Sequence, residues 1–214
     1  MSEKTIRILL ADDHNVLRQG LRSLLEQLSD MTVVGEVADG RSAVDETKKL
    51  SPDVVMMDIG MKNLNGIDAT RQIVSALPAV KVLCLSVHRE KSLVRAMLEA
   101  GASGYLLKTS AAEEVINAVR TVAEGQTYLS PPIAGDVVSR HIHGLEVCRR
   151  DVYATLTARE REVLQLIAEG YHTKDIAGRL GITPKTVLAH RESVMLKVTV
   201  DSTVALARYA WREG

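Results

Sequence analysis

Two adjacent aspartates, Asp12 and Asp13, stand directly behind the apolar run "RILLA". Like charges held side by side at the edge of a core raise each other's pKa unless a cation lies between them. A third carboxylate, Asp58, closes the run "DVVMMD", while Ser86 closes "VKVLCLS" and Lys108 closes "GYLLK". Three carboxylates are an oxygen set for a hard divalent ion such as Mg2+, which takes few protein ligands and keeps several waters. A metal beside a central carboxylate, with an ammonium and a hydroxyl opposite, suits phosphoryl chemistry. Asp58 is then the nucleophile, Mg2+ and Lys108 neutralise charge on the transferred group, and Ser86 donates to a phosphate oxygen. Taken singly, each residue has a plainer use: a strand-end Asp serves in a turn or cap, and a strand-end Lys is merely solvated. The phosphoryl reading rests on their joint placement at the ends of neighbouring strands.

The elements that must position these residues follow from hydrophobic periodicity. Five strand-like runs ("IRILLA", "TVVGEV", "DVVMMD", "VKVLCLS" and "GYLLK") alternate with helical patterns over 15–28, 40–49, 66–77, 90–100 and 110–124. Continuous apolar strands joined by helices predict an α/β fold, a doubly wound, five-stranded parallel sheet covered on both faces. In such a sheet ligands collect outside the carboxyl ends of the strands, where Asp12, Asp13, Asp58, Ser86 and Lys108 all fall. Ser110 with Glu113 reads as a capping box for the last helix, and Gly125 as its stop.

Past "LSPP" at 129–132 the strands cease, which gives three segments: a domain over 1–128, a linker over 129–152 and a helical domain over 153–214. In the last, Thr157 and Glu160 form a second capping box ahead of the stripe Val163, Leu164, Ile167 and Ala168. A short helix over 173–180 stops at Gly181. Thr183 as N-cap and Pro184 at the first helical position launch a third helix to about Val198, and a fourth is expected over 202–212. The formal net charge is zero, so no bulk attraction to polyanions follows. Cys84 in an apolar run and Cys148 in a polar stretch suit reduced thiols. The N-terminus reaches charge too soon for a signal peptide, and no run approaches the roughly 20 apolar residues of a membrane helix. A cytoplasmic protein without a membrane partner is expected.

The segments "ADDH", "DVVMMDIGMKNLNGIDATRQI", "LCLSVH" and "GASGYLLK" resemble the receiver domain of two-component response regulators. The segment "LTAREREVLQLIAEGYHTKDIAGRLGITPKTVLAHRESVMLKV" resembles a LuxR-like helix-turn-helix. Together they place nearly the whole chain with the NarL/FixJ type. The resemblance implies a flavodoxin-like receiver followed by an all-α, four-helix DNA-binding domain. It implies further that Asp58 accepts a phosphoryl group from a sensor histidine kinase, that Asp12, Asp13 and Asp58 bind Mg2+ with the Gly60 carbonyl, that Ser86 and Tyr105 are a switch pair, and that Lys108 contacts the phosphate. In the expected switch, Ser86 moves toward the phosphate and Tyr105 turns into the vacated space. Receivers of this type commonly carry Pro where Lys62 stands and often where Asn15 stands, so Lys62 adds a flexible cation near the site.

The helix over 184–197 is about 21 Å long at 1.5 Å per residue, enough to lie in a major groove. Its inward face is Val187 and Val194, with His190 or Met195. Lys185, Thr186 and Arg191 are candidates for phosphate contacts, and Leu188, Ala189 and Glu192 for base edges, with His190 either packed or on phosphate. Relatives often carry a polar residue at Leu188, and "KVTV" departs from a common "KLG" ending, so Thr199 removes the usual glycine stop. One module spans few base pairs, so a homodimer on double-stranded DNA is expected; the resemblance assigns pairing to the last helix, 202–211, and often also to the receiver, while Val204, Leu206, Ala207 and Trp211 serve equally in packing within the chain. RNA polymerase is a further expected partner. The resulting expectation is a phosphorylation-controlled transcription regulator and not an enzyme. Two alternatives stand beside it. A Mg2+-dependent aspartyl-phosphate phosphohydrolase usually carries a second Asp two residues after the nucleophile, where this chain has Gly60. A receiver-adaptor would act through protein contacts alone.

Overall fold

The computed structural model describes residues 5–135, 155–198, 200 and 202–213. The chain divides into two compact units. In the first, parallel strands β1 (Ile6–Ala11), β2 (Met31–Val37), β3 (Val54–Asp58), β4 (Lys81–Ser86), β5 (Gly104–Leu107) and β6 (Tyr128–Leu129) form one sheet in the order β2-β1-β3-β4-β5-β6. Helices α1 (Asn15–Leu25), α2 (Gly40–Leu50), α3 (Gly66–Ala76), α4 (Lys91–Glu99) and α5 (Ala112–Ala123) connect the strands.

Alternation along the strands divides the core. Ile8 and Leu10 of β1 pack with Leu21 and Leu25 of α1 and with Val115, Val119 and Val122 of α5. Leu9 and Ala11 face the other way, onto the layer of α2, α3 and α4 through Ala43, Val44, Ile73, Val94 and Met97. Both faces are buried, which is why the central strands read as unbroken apolar runs.

Among the described residues the sheet has six strands, a correction to the five expected. Tyr128 and Leu129 pair with Gly104 and Tyr105, a two-residue strand too short to show alternation. Its pairing comes from the open edge of β5, whose backbone groups need partners. Ser130 continues the attachment: its N–H donates to the Tyr105 carbonyl at 2.9 Å, and its Oγ accepts from the Leu107 N–H at 3.2 Å and donates to Glu114 at 2.6 Å. The same cluster corrects the Ser110–Glu113 capping box. The N-cap of α5 is Ala111, whose side chain has no acceptor, and the Ser110 hydroxyl sits instead beside Ser130 Oγ at 3.4 Å. Residues 131–135 are helical, with Ile133 buried in the core of the α2–α4 face, and the rest of the expected linker, with Cys148, lies outside the described residues.

In the second unit α6 (Ala158–Ala168), α7 (Thr173–Leu180), α8 (Pro184–Val198) and α9 (Thr203–Glu213) follow the expected order. Thr157 and Glu160 close their capping box. Gly181 takes the left-handed conformation after α7, and Thr183 Oγ1 accepts from the Thr186 N–H at 3.2 Å to start α8. Val163, Leu166, Ile176, Ala177 and Val187 form one apolar cluster, and Leu156, Leu164, Val194 and Leu206 another. Thr199 and the side chains of Val204 and Trp211 lie outside the described residues.

Candidate functional site

The carboxyl ends of β1, β3 and β5 deliver their polar residues to one point. Lys108 Nζ lies 2.8 Å from Asp12 Oδ2 and 2.7 Å from Asp58 Oδ2. Asp12 is 1% exposed and Asp58 5%, so both carboxylates are largely removed from water. One ligand atom from each of Asp12, Asp13, His14 and Asp58 lies within 4.8 Å of the others. Like charges that close repel by about 3–4 kcal/mol at an effective dielectric near 20, while each Lys108 contact attracts by about 6. A single ammonium therefore holds two carboxylates, and three carboxylates with one lysine leave two negative charges, the charge a dication balances.

Local backbone geometry places Asp58 at the pocket. Behind it, the loop from 59 to 65 returns over the strand end, with the Gly66 N–H donating to the Ile59 carbonyl at 2.9 Å. A Cβ on Gly66 would stand 1.9 Å from the Asp58 carbonyl oxygen, so only glycine allows α3 to start this close to the site. Within the loop Asn63 has φ 64°, a left-handed conformation that Asn tolerates. Lys62 is exposed, with its backbone bridged to Asp39. The Gly60 N–H faces Asp58 Oδ1 at 3.4 Å.

Titration follows from this packing. Burial pushes the Asp58 carboxyl above its ordinary value, with Lys108 opposing and Asp12 adding repulsion. For Lys108 burial works against the charge, but hydrogen bonds to Asp12 and Asp58 outweigh it and hold the pKa above the ordinary value. Two buried oxygens, Asp12 Oδ2 and Asp13 Oδ1, accept no well-directed hydrogen bond among the described residues. Their close neighbours are cationic or basic nitrogens: Lys108 Nζ, and His14 Nδ1 at 2.9 Å from Asp13. Such an oxygen set fits a hard dication.

Ser86 and Tyr105 meet through a third residue. Ser86 Oγ accepts from the His88 N–H at 3.0 Å, and the Tyr105 hydroxyl donates to the His88 carbonyl at 3.0 Å. The Tyr105 ring is fully buried among the apolar side chains of the α2–α4 face, and burial pushes its phenol well above the ordinary range. The expected inward position of Tyr105 is therefore already taken in this structure. Residue types alone did not single out His88, which contributes only backbone groups, or His14, whose place directly after the paired aspartates was the one available signal.

In the second unit Val187 and Val194 of α8 are buried. Lys185, Leu188, Ala189 and Glu192 are exposed, and Thr186, His190, Arg191 and Met195 are half-buried. The Arg191 Nε is buried and has no hydrogen-bond partner among the described residues. Sequence reading missed Leu196, which is 82% exposed. Glu160, the capping residue of α6, also anchors α8, accepting from Lys197 Nζ at 2.7 Å and Ser193 Oγ at 2.6 Å. Burial opposes its ionisation, but Lys197 and Ser193 prevail and hold its pKa at about 2.

Residues 8–120 match the model of the response regulator receiver domain, and residues 154–210 that of the bacterial regulatory proteins of the luxR family. The transcriptional regulatory protein LiaR of Bacillus subtilis is 42% identical over 207 residues, 97% of this chain and 97% of LiaR. The response regulator protein VraR of Staphylococcus aureus is 37% identical over 98% of both chains. Among solved structures, RcsB from Salmonella enterica serovar Typhimurium, bound to a promoter in the presence of the phosphomimetic BeF3-, is 26% identical. It aligns over 97% of this chain and 98% of its own with a TM-score of 0.63.

Proposed function

The chain belongs to the response regulators that join a receiver domain to a LuxR-family DNA-binding domain, and from that premise we propose that phosphorylation of Asp58 controls DNA binding through α8. The observation that carries the reading is the Asp12–Lys108–Asp58 contact at 2.7–2.8 Å beside a net charge of −2. Asp12, Asp13 and Asp58 would hold Mg2+, with Gly60 completing the set. When bound, the ion supplies electrostatic neutralisation of phosphoryl oxygens. The Asp58 carboxylate forms an O–P bond as the N–P bond of a histidine kinase's phosphohistidine breaks and imidazole leaves. Lys108, already 2.7 Å from Asp58, neutralises charge on the phosphoryl oxygens. The phosphate offers the Ser86 hydroxyl an acceptor for its proton, and because the same oxygen accepts from the His88 N–H, movement of Ser86 toward the phosphate pulls on the His88 backbone. Because Tyr105 holds the same peptide segment, movement there reaches the β4–α4 loop.

In the second unit Lys185, Thr186 and Arg191 contact phosphates and Leu188, Ala189 and Glu192 reach base edges, while His190, half-buried, contacts a phosphate. The solved structure of two RcsB dimers bound to two DNAs supports a homodimer on duplex DNA. RNA polymerase is a downstream partner in this reading. Duplex binding should be measured with and without a small phosphodonor plus Mg2+, for wild type and Asp58→Asn. The donor should tighten wild-type binding by about 5- to 150-fold, the usual range of allosteric coupling, and leave Asp58→Asn unchanged. An identical donor effect in both would remove Asp58 as the trigger.

A further inference from the structure

His14 has no role in the reading above, yet its ring stands among the carboxylates. Nδ1 lies 2.9 Å from Asp13 Oδ1, 3.1 Å from Asp12 Oδ1 and 3.8 Å from Asp58 Oδ2. Ligand atoms about 2.0–2.1 Å from an octahedral ion stand about 3.0 Å apart when adjacent and about 4.2 Å apart when opposite. The two short separations match adjacent-ligand edges, and the third falls between the limits. We propose that His14 is a further protein ligand of this pocket, through Nδ1, and that it shifts the pocket's preference from Mg2+ toward a first-row transition dication such as Mn2+. The proposal rests on the pocket being a dication site, as argued above.

The backbone explains how the ring reaches that position. The His14 N–H donates to Asp12 Oδ1 at 2.8 Å, a tight local turn that folds the residue back over the aspartates. His14 is the N-cap of α1 but makes no side-chain cap bond, so its imidazole is not committed to the helix. The side chain is 69% exposed, which leaves it room to adjust around an arriving ion. Lys108 Nζ, 3.5 Å away, keeps its bonds to Asp12 and Asp58 in the same pocket. An imidazole nitrogen is a softer donor than a carboxylate oxygen; Mg2+ prefers oxygen, and first-row transition dications accept nitrogen more readily, Mn2+ the least among them, so Mn2+ is the strictest comparison with Mg2+. A histidine serving only as a counter-ion to the carboxylates would instead compete with every metal alike.

Calorimetric titration of the full chain with MgCl2 and with MnCl2, without phosphodonor, separates these cases. In His14→Ala the ratio of Mn2+ to Mg2+ affinity should fall at least about tenfold relative to wild type, the lower range for disturbing a metal's ligand environment. Pulsed electron paramagnetic resonance of bound Mn2+ should show modulation from a directly coordinated 14N that is lost in His14→Ala. An unchanged ratio, an equal tightening of both ions in the variant, or the absence of 14N modulation in wild type overturns the proposal alone. Failure of wild type to bind either ion overturns it together with the pocket reading, and abolition of binding of both ions in Asp12→Asn supports that reading independently.

Discussion

Asp58 illustrates how a buried carboxylate costs stability. Its carboxyl is nearly sealed from water, and burial raises its pKa despite the lysine 2.7 Å away. A folded-state pKa above the unfolded value means that the ionised group opposes folding, by an amount that grows as pH rises through the unfolded value and is complete above the folded one. Asn keeps the shape and removes the charge. Asp58→Asn is therefore expected to raise the urea midpoint of the first unit at pH 7 in EDTA, an advantage that shrinks toward pH 3. A lower midpoint at pH 7 would show that the Lys108 ion pair outweighs desolvation. Neighbouring Cys84 is a free, buried thiol, and burial pushes its pKa well up, so it is a packing residue on the α2–α4 face.

The helix–helix contact through Glu160 belongs to the scale of elements. This carboxylate caps the start of α6 through the Thr157 N–H at 2.7 Å and holds α8 through Lys197 and Ser193. Its pKa is lowered from 4.5 to about 2, so the sign is opposite to that of Asp58. The stabilisation is present above about pH 4.5 and is lost as pH falls toward 2. Glu160→Gln should cost about 2 kcal/mol at pH 7, the scale of hydrogen bonds to a charged group. Urea unfolding followed by circular dichroism should show the two proteins converging between pH 4.5 and 2, and a difference independent of pH would exclude the ion pair as its source. The other capping reading, at Ser110, failed because tertiary contacts claim its hydroxyl. The Ser110 hydroxyl lies instead beside Ser130, which the pairing of β6 with β5 brings to it.

At the scale of the whole molecule, a chain with no net charge must bind a polyanion through placement. Lys185 is exposed on α8, and a lysine that neutralises one phosphate contributes about one unit to the slope of log affinity against log salt. Lys185→Ala should lower that slope by about 1 and weaken binding similarly across sequences, whereas a change in base preference would place Lys185 on a base edge instead. The alternation of apolar runs with helical stripes was enough to read a doubly wound parallel sheet, and that sheet was enough to bring Asp12, Asp13, Asp58 and Lys108 to one edge, because strand direction alone sets where strand ends lie. The capping residues Thr157, Thr183 and Gly181 were legible for the same reason, being governed by backbone groups within a few residues. The sixth strand, the shared grip of Ser86 and Tyr105 on the His88 backbone, the second role of Glu160 and the entry of His14 among three carboxylates were decided only in three dimensions. Each depends on groups that are distant in sequence or carry no side-chain signal, and a hydrogen bond or ion pair of about 3 Å is set by how the elements pack.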